Sequence, residues 1–529
     1  MKRLFYNCRV ITMDSRLPEA EAVMINNGKI LRAGSSEELL SAAGRAVEKY
    51  DLGGRTVLPG LTDSHTHLYL YACEKGWIDL SGARSAADII SAVAGHMDNN
   101  VGDWILGRGW DQNTMNHPAL PSLESMDMAA GDTPVFLERI CGHAALVNSA
   151  ALSRAGLERG GPDPAGGRVI WENGLVQDEA VDIIRSAIDT PSGAARKELL
   201  AAAAEEMLSL GITGVHDMGM TADALESYAE LAAGGDLRLR VAGYLPGTPG
   251  DPEGIAGQVR DAARRKNDFL SVPGVKLFAD GSLGARTAAL IEDYSDDPGN
   301  RGITVTGSGE LRRRIEFFHS RSVQTAVHAI GDLANRTALD VFEQVFGQFP
   351  GRRFRHRIEH AQVIDPVDIP RFDSLGVIPS MQFSHFVSDS GWLERRLGRE
   401  RLSMAYPWKS LVDSGCAIAA GSDLPFEKII DPFSGIQAAV TRAAAGGKPQ
   451  GMADNESLTL LQALEAYTVN AAFASFDENR RGSVAPGMDA DLVVISRDIY
   501  EAAPEAISEI EVLATVVGGD IVYSSGELI

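Results

Sequence analysis

The chain has 529 residues, of which 44% are hydrophobic and 23% are charged, and its formal net charge is −23 at pH 7. This composition indicates a globular protein with one large domain and a smaller one. The negative charge argues against nucleic-acid binding, because phosphates would be repelled. No apolar stretch reaches the length of a membrane span and no signal-peptide core follows the first residues, so we expect a cytoplasmic protein without a membrane partner.

Both ends of the chain contain short strand-like stretches. Asn26-Asn27-Gly28 lies between two apolar runs and predicts a hairpin. Near the other end, apolar runs flank a turn at Gly518-Gly519-Asp520. We therefore predict that residues 1–57 and 482–529 fold together into a small β-sandwich domain, with two independent tails as the alternative.

The long middle of the chain, residues 58–481, alternates between strand-like and helical stretches. Eight apolar runs that end in polar residues are predicted strands: 57–67, 134–138, 211–217, 274–280, 324–328, 355–360, 376–382 and 416–423. Repeated alternation with helices such as 194–210 predicts a distorted (β/α)₈ TIM barrel, and an open doubly wound sheet is the alternative. The region around 77–133 is longer than one helix requires, which predicts an insertion over the active face.

Histidines are concentrated near the ends of the predicted strands. His65 and His67 stand two residues apart, so an extended strand would direct both rings to the same face. Other histidines of the 11 in the chain lie at or just beyond strand ends: His143, His216, His328, His360 and His385. Imidazoles gathered at one end of a barrel can bind a divalent metal, although a turn with two solvated histidines would explain the first pair.

Two charged residues occupy unusual positions in the predicted strands. Asp423 follows an apolar strand at a glycine-containing bend, where it could be a metal ligand or the cap of a following helix. Lys276 lies within an apolar strand, and a buried lysine is costly unless it is paired or chemically altered.

Five motifs, taken in this order, resemble those of the metal-dependent amidohydrolase superfamily, and in particular its N-substituted formamide deformylase branch. They are PGLTDSHTH at 59–67, VKLFADGSLG at 275–284, VHAIGD at 327–332, RIEHA at 357–361 and GSDLP at 421–425. The resemblance covers nearly the whole chain. It implies a distorted (β/α)₈ barrel with a small β-sandwich formed by both termini.

The resemblance also implies a metal site with one or two divalent ions per chain. His65 and His67 would bind one metal and His328 and His360 a second, while Asp423 would contact both metal and water. The position of Lys276 matches that of an N-carboxylated lysine that bridges two metals, and a single metal beside an unmodified lysine is the alternative. Zinc is the expected metal, and iron, manganese or cobalt are compatible with these ligands.

The expected function is hydrolysis of a carbon–nitrogen bond in an amide, formamide or cyclic amide by a metal-activated hydroxide. Asp423 would carry the proton, and His143 would help to stabilise the oxyanion. His143 could equally be a structural group that bonds to Asn148. The alternatives are the same centre acting on an ester, a phosphotriester or a ring amine, and a non-catalytic barrel scaffold.

Four residues are predicted to contact the substrate: Trp110, Asp111, Asp280 and Asn148. Glu359 and Asp217 are predicted either to orient the metal ligands or to form structural ion pairs. The expected partner is a small amide-type molecule, and a homo-oligomer is compatible with the sequence.

Overall fold

The computed structural model describes residues 2–97, 103–112, 115–116, 119–139, 144–164, 167–248, 250–265, 267–351, 354–427, 429–443 and 454–526. The chain forms two compact units, one of Met1–Tyr69 with Leu200–Ile529 and one of Leu70–Leu199. Among the described residues, none of the helices combines the length and the apolar character that crossing a bilayer requires.

The larger unit is built around an eight-stranded sheet whose neighbouring strands are all parallel. In chain order, the strands are Leu61–Thr66, Ile212–Met218, Arg240–Pro246, Leu270–Phe278, Gln324–Ala329, Arg357–His360, Ile378–Met381 and Ala419–Ala420. The last strand returns to the first, because the Asp423 N–H donates to the His65 carbonyl at 2.7 Å. The sheet is therefore a nearly closed barrel, and the predicted (β/α)₈ barrel is confirmed.

One of the eight predicted barrel strands belongs to a different sheet. The stretch predicted at 134–138 forms the strand Val135–Arg139, which belongs to the sheet of the second unit. Its place in the barrel is taken by Arg240–Pro246, which was not predicted. An apolar run shows that a strand forms, but it does not show which strands will be its neighbours.

A buried arginine, Arg240, is the reason that the apolar pattern does not predict this strand. Arg240 is the first residue of the strand and is only 6% exposed. Its charge therefore interrupts the apolar pattern that would predict a buried strand. Its Nη2 donates to Asp491 Oδ1 at 2.8 Å and its Nε donates to the other carboxylate oxygen. The partner that neutralises the arginine lies 251 residues away in the sequence, so local pattern cannot reveal it.

Replacing Arg240 with Met is expected to lower the free energy of unfolding by about 3–5 kcal/mol, because Asp491 would lose its bidentate partner while it stays buried. Denaturant titration of the purified protein measures this change. The control is Arg264→Met, since the Arg264 side chain is 78% exposed in its pair with Asp261. Equal stability of the two variants would contradict the prediction.

Helices follow most of the barrel strands, and side-chain caps start several of them. Thr221 accepts a hydrogen bond from the N–H of Ala224, and Asp251 caps a helix that begins with proline. The helices of the larger unit are Ser36–Ala42, Ala222–Gly234, Pro252–Arg264, Ser308–Ser320, Asp332–Gln348, Ile369–Leu375, Phe383–Asp389, Leu393–Leu397, Trp408–Asp413, Pro432–Thr441, Leu460–Tyr467 and Val469–Ala474. The helix Gly193–Ser209 leads into the second barrel strand.

Two further sheets contain the strands of the chain ends. The six-stranded sheet has the order Asp520–Ser524, Val512–Val517, Leu492–Ile495, Thr56–Pro59, Arg9–Ile11 and Glu19–Ala20. The four-stranded sheet has the order Lys29–Gly34, Ala22–Asn26, Lys2–Tyr6 and Glu48–Asp51. Thr56–Pro59 pairs with Leu492–Ile495, so the two ends of the chain meet in one sheet.

The predicted hairpin is present in the four-stranded sheet, with φ of 49° at Asn27 and 77° at Gly28. The stretch predicted as one strand at 57–67 is divided between the six-stranded sheet and the barrel. Buried apolar residues of the two terminal sheets, such as Phe5 and Val494, belong to one cluster. The domain limits 1–57 and 482–529 stay a prediction.

The second unit, Leu70–Leu199, has its own six-stranded sheet and is longer than the inserted region predicted around 77–133. The strand order is Gly167–Ile170, Leu175–Asp178, Ala144–Val147, Val135–Arg139, Ile105–Trp110 and Ile78–Asp79. Its helices are Ala86–Met97, Leu123–Ala130, Ser149–Arg154 and Glu179–Ser186, and Leu68–Glu74 leads into it. Two clusters of buried apolar side chains form its core.

Candidate metal centre

The barrel brings the predicted ligands together at the carboxyl ends of its strands. His65, Lys276, His328 and His360 lie within the final three residues of their strands, and Asp423 follows the last strand. Because parallel strands end at the same edge, side chains that are far apart in the sequence meet there.

Asp423 lies at the middle of the group. Its Oδ1 is 3.3 Å from the Nε2 of both His65 and His67, and its Oδ2 is 3.7 Å from the Nε2 of His385. Two sets of donor atoms share this carboxylate, one with His65 and His67 and one with His360 and His385. Within each set the donor atoms lie within 4.8 Å of one another, which is close enough for a common metal ion.

The histidines have a second feature typical of metal ligands, because their outer nitrogens are held by hydrogen bonds. His65 Nδ1 lies 2.6 Å from Glu359 Oε2, and His360 Nδ1 lies 2.8 Å from Gln382 Oε1. His328 Nε2 lies 3.1 Å from the carbonyl oxygen of Gly281. Donation of the outer N–H fixes the tautomer and leaves the inner nitrogen free to bind a cation, so these residues fit a divalent metal.

Glu359 is itself held by a buried arginine. Arg357 is 0% exposed and donates from Nε to Glu359 Oε1 at 2.8 Å and from Nη2 to Oε2 at 3.0 Å. Burial raises the pKa of Glu359, but Arg357 and then His65 outweigh it and hold the pKa well below its usual value. Arg357 Nη1 also donates to His216 Nδ1 at 2.8 Å, which makes His216 a neutral part of this network.

Glu359→Gln is expected to weaken metal binding by about 10- to 100-fold, because His65 would lose its charged hydrogen-bond acceptor. Competition with a coloured chelator measures the metal dissociation constant. Glu343→Gln is the control, since Glu343 is 66% exposed in an ion pair with Arg371. If both variants bind metal as the wild type does, Glu359 does not orient the ligand.

Lys276 is almost completely buried, with 1% exposure. Among the described residues, its Nζ makes a side-chain hydrogen-bond contact only with His65 Nε2, at 3.3 Å. Burial lowers the pKa of Lys276 to about 8, and Arg357 acts in the same direction. A lysine in this state has an appreciable fraction of neutral amine near neutral pH.

The backbone at the centre adopts conformations that are rare outside glycine. Asp423 has φ of 65° and His360 has φ of 71°, both in the left-handed region. Gly421 permits the close approach of the last strand to the first, since a Cβ at this position would lie 2.4 Å from the nitrogen of His65. Such backbone strain is common at functional sites.

The Asp423 carboxyl is an ionised group in this setting. Burial raises its pKa, but the His65 and His67 rings that face the carboxylate outweigh that effect and hold the pKa well below its ordinary value. Burial with Lys276 nearby lowers the pKa of His328 to about 3, so this ring is neutral and able to bind a metal.

Two of the predicted substrate contacts have structural roles within the second unit. Trp110 is 1% exposed, and its indole N–H donates to the carbonyl of Leu137 at 2.7 Å. Asn148 caps a helix by accepting the N–H of Ala151 at 3.0 Å. These contacts account for both side chains without a ligand, because they satisfy buried polar atoms.

His143 lies outside the described residues, and its catalytic role stays a prediction.

Asp280 also has a structural role. Its carboxylate accepts three backbone N–H groups, those of Ala289, Ile330 and Gly331. These hydrogen bonds join the loop after the strand Leu270–Phe278 to the loop after the strand Gln324–Ala329. Asp111 pairs with Arg139 at 2.9 Å, and the prediction that it contacts substrate stays open.

His385 is the functional candidate that the sequence pattern did not single out as a ligand. It lies in the helix Phe383–Asp389, which follows the strand Ile378–Met381 directly. The sequence showed a histidine near a strand end, but only the turn of the helix brings its ring to Asp423.

A cavity of about 520 Å³ opens at the metal centre. His67, Lys276, His360 and Asp423 line its inner end. Phe278, Trp392 and Phe426 are aromatic residues among its other lining groups. A cavity with convergent polar groups at one end and apolar walls elsewhere is typical of a small-molecule site.

The comparisons with known proteins agree with this geometry. The sequence matches the Amidohydrolase family over residues 48–523. It is 35% identical over 540 residues to the putative amidohydrolase YtcJ of Bacillus subtilis (strain 168), with 99% of each chain covered. It is 27% identical over 540 residues to the N-substituted formamide deformylase of Arthrobacter pascens, with 98% of each chain covered.

Among solved structures, an uncharacterized metal-dependent hydrolase from Pyrococcus horikoshii OT3 superposes with a TM-score of 0.82 at 30% sequence identity. The superposition covers 95% of this chain and 99% of that one. The family and this neighbour support a metal-dependent hydrolase that uses a divalent metal. The similarity therefore confirms the resemblance in the motifs: the chain belongs to the amidohydrolase family.

Proposed function

We propose that the protein hydrolyses a carbon–nitrogen bond of an amide, a formamide or a cyclic amide. The observation that carries this proposal is the convergence of His65, His67 and His385 on the two oxygens of buried Asp423, at the inner end of a cavity. The family and the similarity to a formamide deformylase support the type of bond.

We assign the two donor sets to one or two divalent cations, with zinc as the first metal to test. His65, His67 and Asp423 form the first set. His360 belongs to the second set, and the ring of His328 lies 4.5 Å from the ring of His360. Carboxylation would convert buried Lys276 from a costly buried cation into an anionic oxygen donor beside His65.

A divalent cation held here supplies Lewis acidity, which polarises the substrate carbonyl and lowers the pKa of water. Asp423 accepts the proton of the attacking water at one carboxylate oxygen and delivers it to the leaving nitrogen. The neighbouring His65 and His67 rings lower the pKa of this carboxyl, which is therefore ionised before the reaction. Arg357 and Glu359 hold the His65 ring in place, so that the proton acceptor and the ligands keep one arrangement.

The test is a screen of purified protein loaded separately with zinc, manganese, iron(II) or cobalt. Substrates are N-formyl amines, N-acyl amines and cyclic amides, and release of the free amine or ring opening is followed by mass spectrometry. Matched esters and phosphotriesters are included as competing classes. We expect the metal-loaded protein to cleave amides and the metal-free protein not to cleave them. Cleavage of esters or phosphotriesters without cleavage of amides would overturn the assignment.

A further inference from the structure

A second carboxylate lines the cavity without belonging to the metal centre. Asp389 ends the helix Phe383–Asp389, four residues beyond His385, and both side chains line the cavity. The helical rise of about 1.5 Å per residue separates their backbones by about 6 Å. A group that binds to Asp389 would therefore lie about one helical turn from the Asp423 end of the cavity.

Asp389 is held in a fixed orientation by two neutral donors. The hydroxyl of Tyr406 and the amide of Gln362 both donate to Asp389 Oδ2. Both donors are buried, with exposures of 2% and 3%. Within the described part of the chain, Oδ1 receives no hydrogen bond, so one oxygen is anchored and the other is available to a molecule in the cavity.

The negative charge of Asp389 has no salt-bridge partner in the parts of the chain that the structure describes. None of the lysine, arginine or histidine side chains in the described ranges forms a salt bridge with it. Glu427 also lines the cavity. Burial raises the pKa of Asp389 and the charge of Glu427 acts in the same direction, while His385 and the hydrogen bonds from Tyr406 and Gln362 oppose this rise. A cation bound to Asp389 would offset the charge of this carboxylate.

Aromatic surface lies in the same cavity. Phe278 is 37% exposed and Phe426 is 58% exposed, so both rings present apolar surface to the cavity that they line. The ring of Phe426 lies 5.2 Å from the ring of His67, at the edge of the metal centre. Such surfaces bind an apolar or aromatic body, and aromatic faces also attract cations.

We propose that Asp389 binds a protonated amine, so that the substrate is an amide that carries an ammonium group on an apolar or aromatic body. The identity of the scissile bond in this inference rests on the proposed function. Binding of the ammonium group does not, because Asp389 takes no part in the reaction. Asp389 is therefore a specificity residue, and its role can be measured without turnover.

The binding test uses calorimetry on the metal-loaded protein at pH 7 with benzylammonium and with benzyl alcohol, its neutral counterpart. Wild type is expected to bind benzylammonium at least about ten-fold more tightly than benzyl alcohol, because a charged hydrogen bond is stronger than a neutral one. Equal affinities would overturn the proposal, and this comparison requires no variant.

Asp389→Asn tests the residue itself. The asparagine oxygen can still accept from Tyr406 and Gln362, and a thermal melt checks that the variant is folded. The preference for benzylammonium is expected to fall to about two-fold or less, whereas Glu394→Gln, at an exposed position in the next helix, is expected to keep it. A preference unchanged in Asp389→Asn would overturn the assignment.

A turnover comparison separates this inference from the proposed function. The substrates are N-formylbenzylamine and its 4-aminomethyl derivative, which carries the additional ammonium group. Faster cleavage of the derivative, measured as kcat/KM, supports both proposals. Equal cleavage overturns the ammonium preference and leaves amide hydrolysis standing. Cleavage of neither substrate, together with Asp389-dependent binding of benzylammonium, counts against formamide hydrolysis and supports the ammonium site.

Discussion

Asp423→Asn is expected to lower kcat by about 10²- to 10⁴-fold while the protein keeps its metal. The amide has nearly the same shape as the carboxylate and retains an oxygen that can contact His65, His67 and the cation. It cannot accept the proton of water at neutral pH, however, so the chemical step is slowed. Steady-state kinetics and elemental analysis of the same preparation measure the two effects separately.

Asp413→Asn is the control for this variant, because Asp413 is 57% exposed in a surface pair with Lys409. Its turnover and metal content are expected to match the wild type. Near-normal turnover in Asp423→Asn would show that another group carries the proton. Loss of metal in parallel with activity would instead identify Asp423 as a ligand whose charge is essential for binding.

Lys276→Ala is expected to reduce both the metal content and kcat/KM, the latter by about 100-fold or more. The carboxylated lysine forms when the neutral amine of Lys276 adds to carbon dioxide. This step makes a nitrogen–carbon bond and releases one proton. Wild type prepared with ¹³C-bicarbonate is expected to show a carbamate carbon signal by NMR that Lys276→Ala lacks. Acetate or propionate is expected to restore part of the activity, because either acid can supply a carboxylate in the vacated space.

Lys409→Ala is the matched variant, since this lysine is 44% exposed in a surface pair with Asp413 and is not a proposed ligand. It is expected to keep the carbamate signal and full activity. If the wild type shows no carbamate carbon while Lys276→Ala is still inactive, the unmodified lysine and a single metal become the correct description of the site.

The features predicted well from the sequence are those that depend on local pattern. Apolar runs that end in polar residues located most of the barrel strands, and the strand ends placed His65, Lys276, His328 and His360 at the same edge. This worked because parallel strands direct their carboxyl ends to one side, so order along the chain is enough to predict proximity.

The features that failed depend on partners distant in the chain. The strand Arg240–Pro246 was hidden because Arg240 is neutralised by Asp491, and Val135–Arg139 was assigned to the barrel because an apolar run does not identify its neighbours. The substrate contact predicted for Trp110 stays a prediction, although its burial and its bond to a backbone carbonyl give the side chain a structural role. Local sequence cannot distinguish these cases.

The closure of the barrel has a consequence for how the protein matures. Asp63 accepts the N–H of Ser422 at 3.0 Å, across 359 positions of the chain, and the next residue, Asp423, supplies the carboxylate shared by both donor sets. A nascent chain still on the ribosome before residue 423 therefore lacks the shared ligand, whatever else has folded. The complete set of donor atoms is therefore assembled only late in synthesis, when the last strand reaches the first and completes the ring of strands.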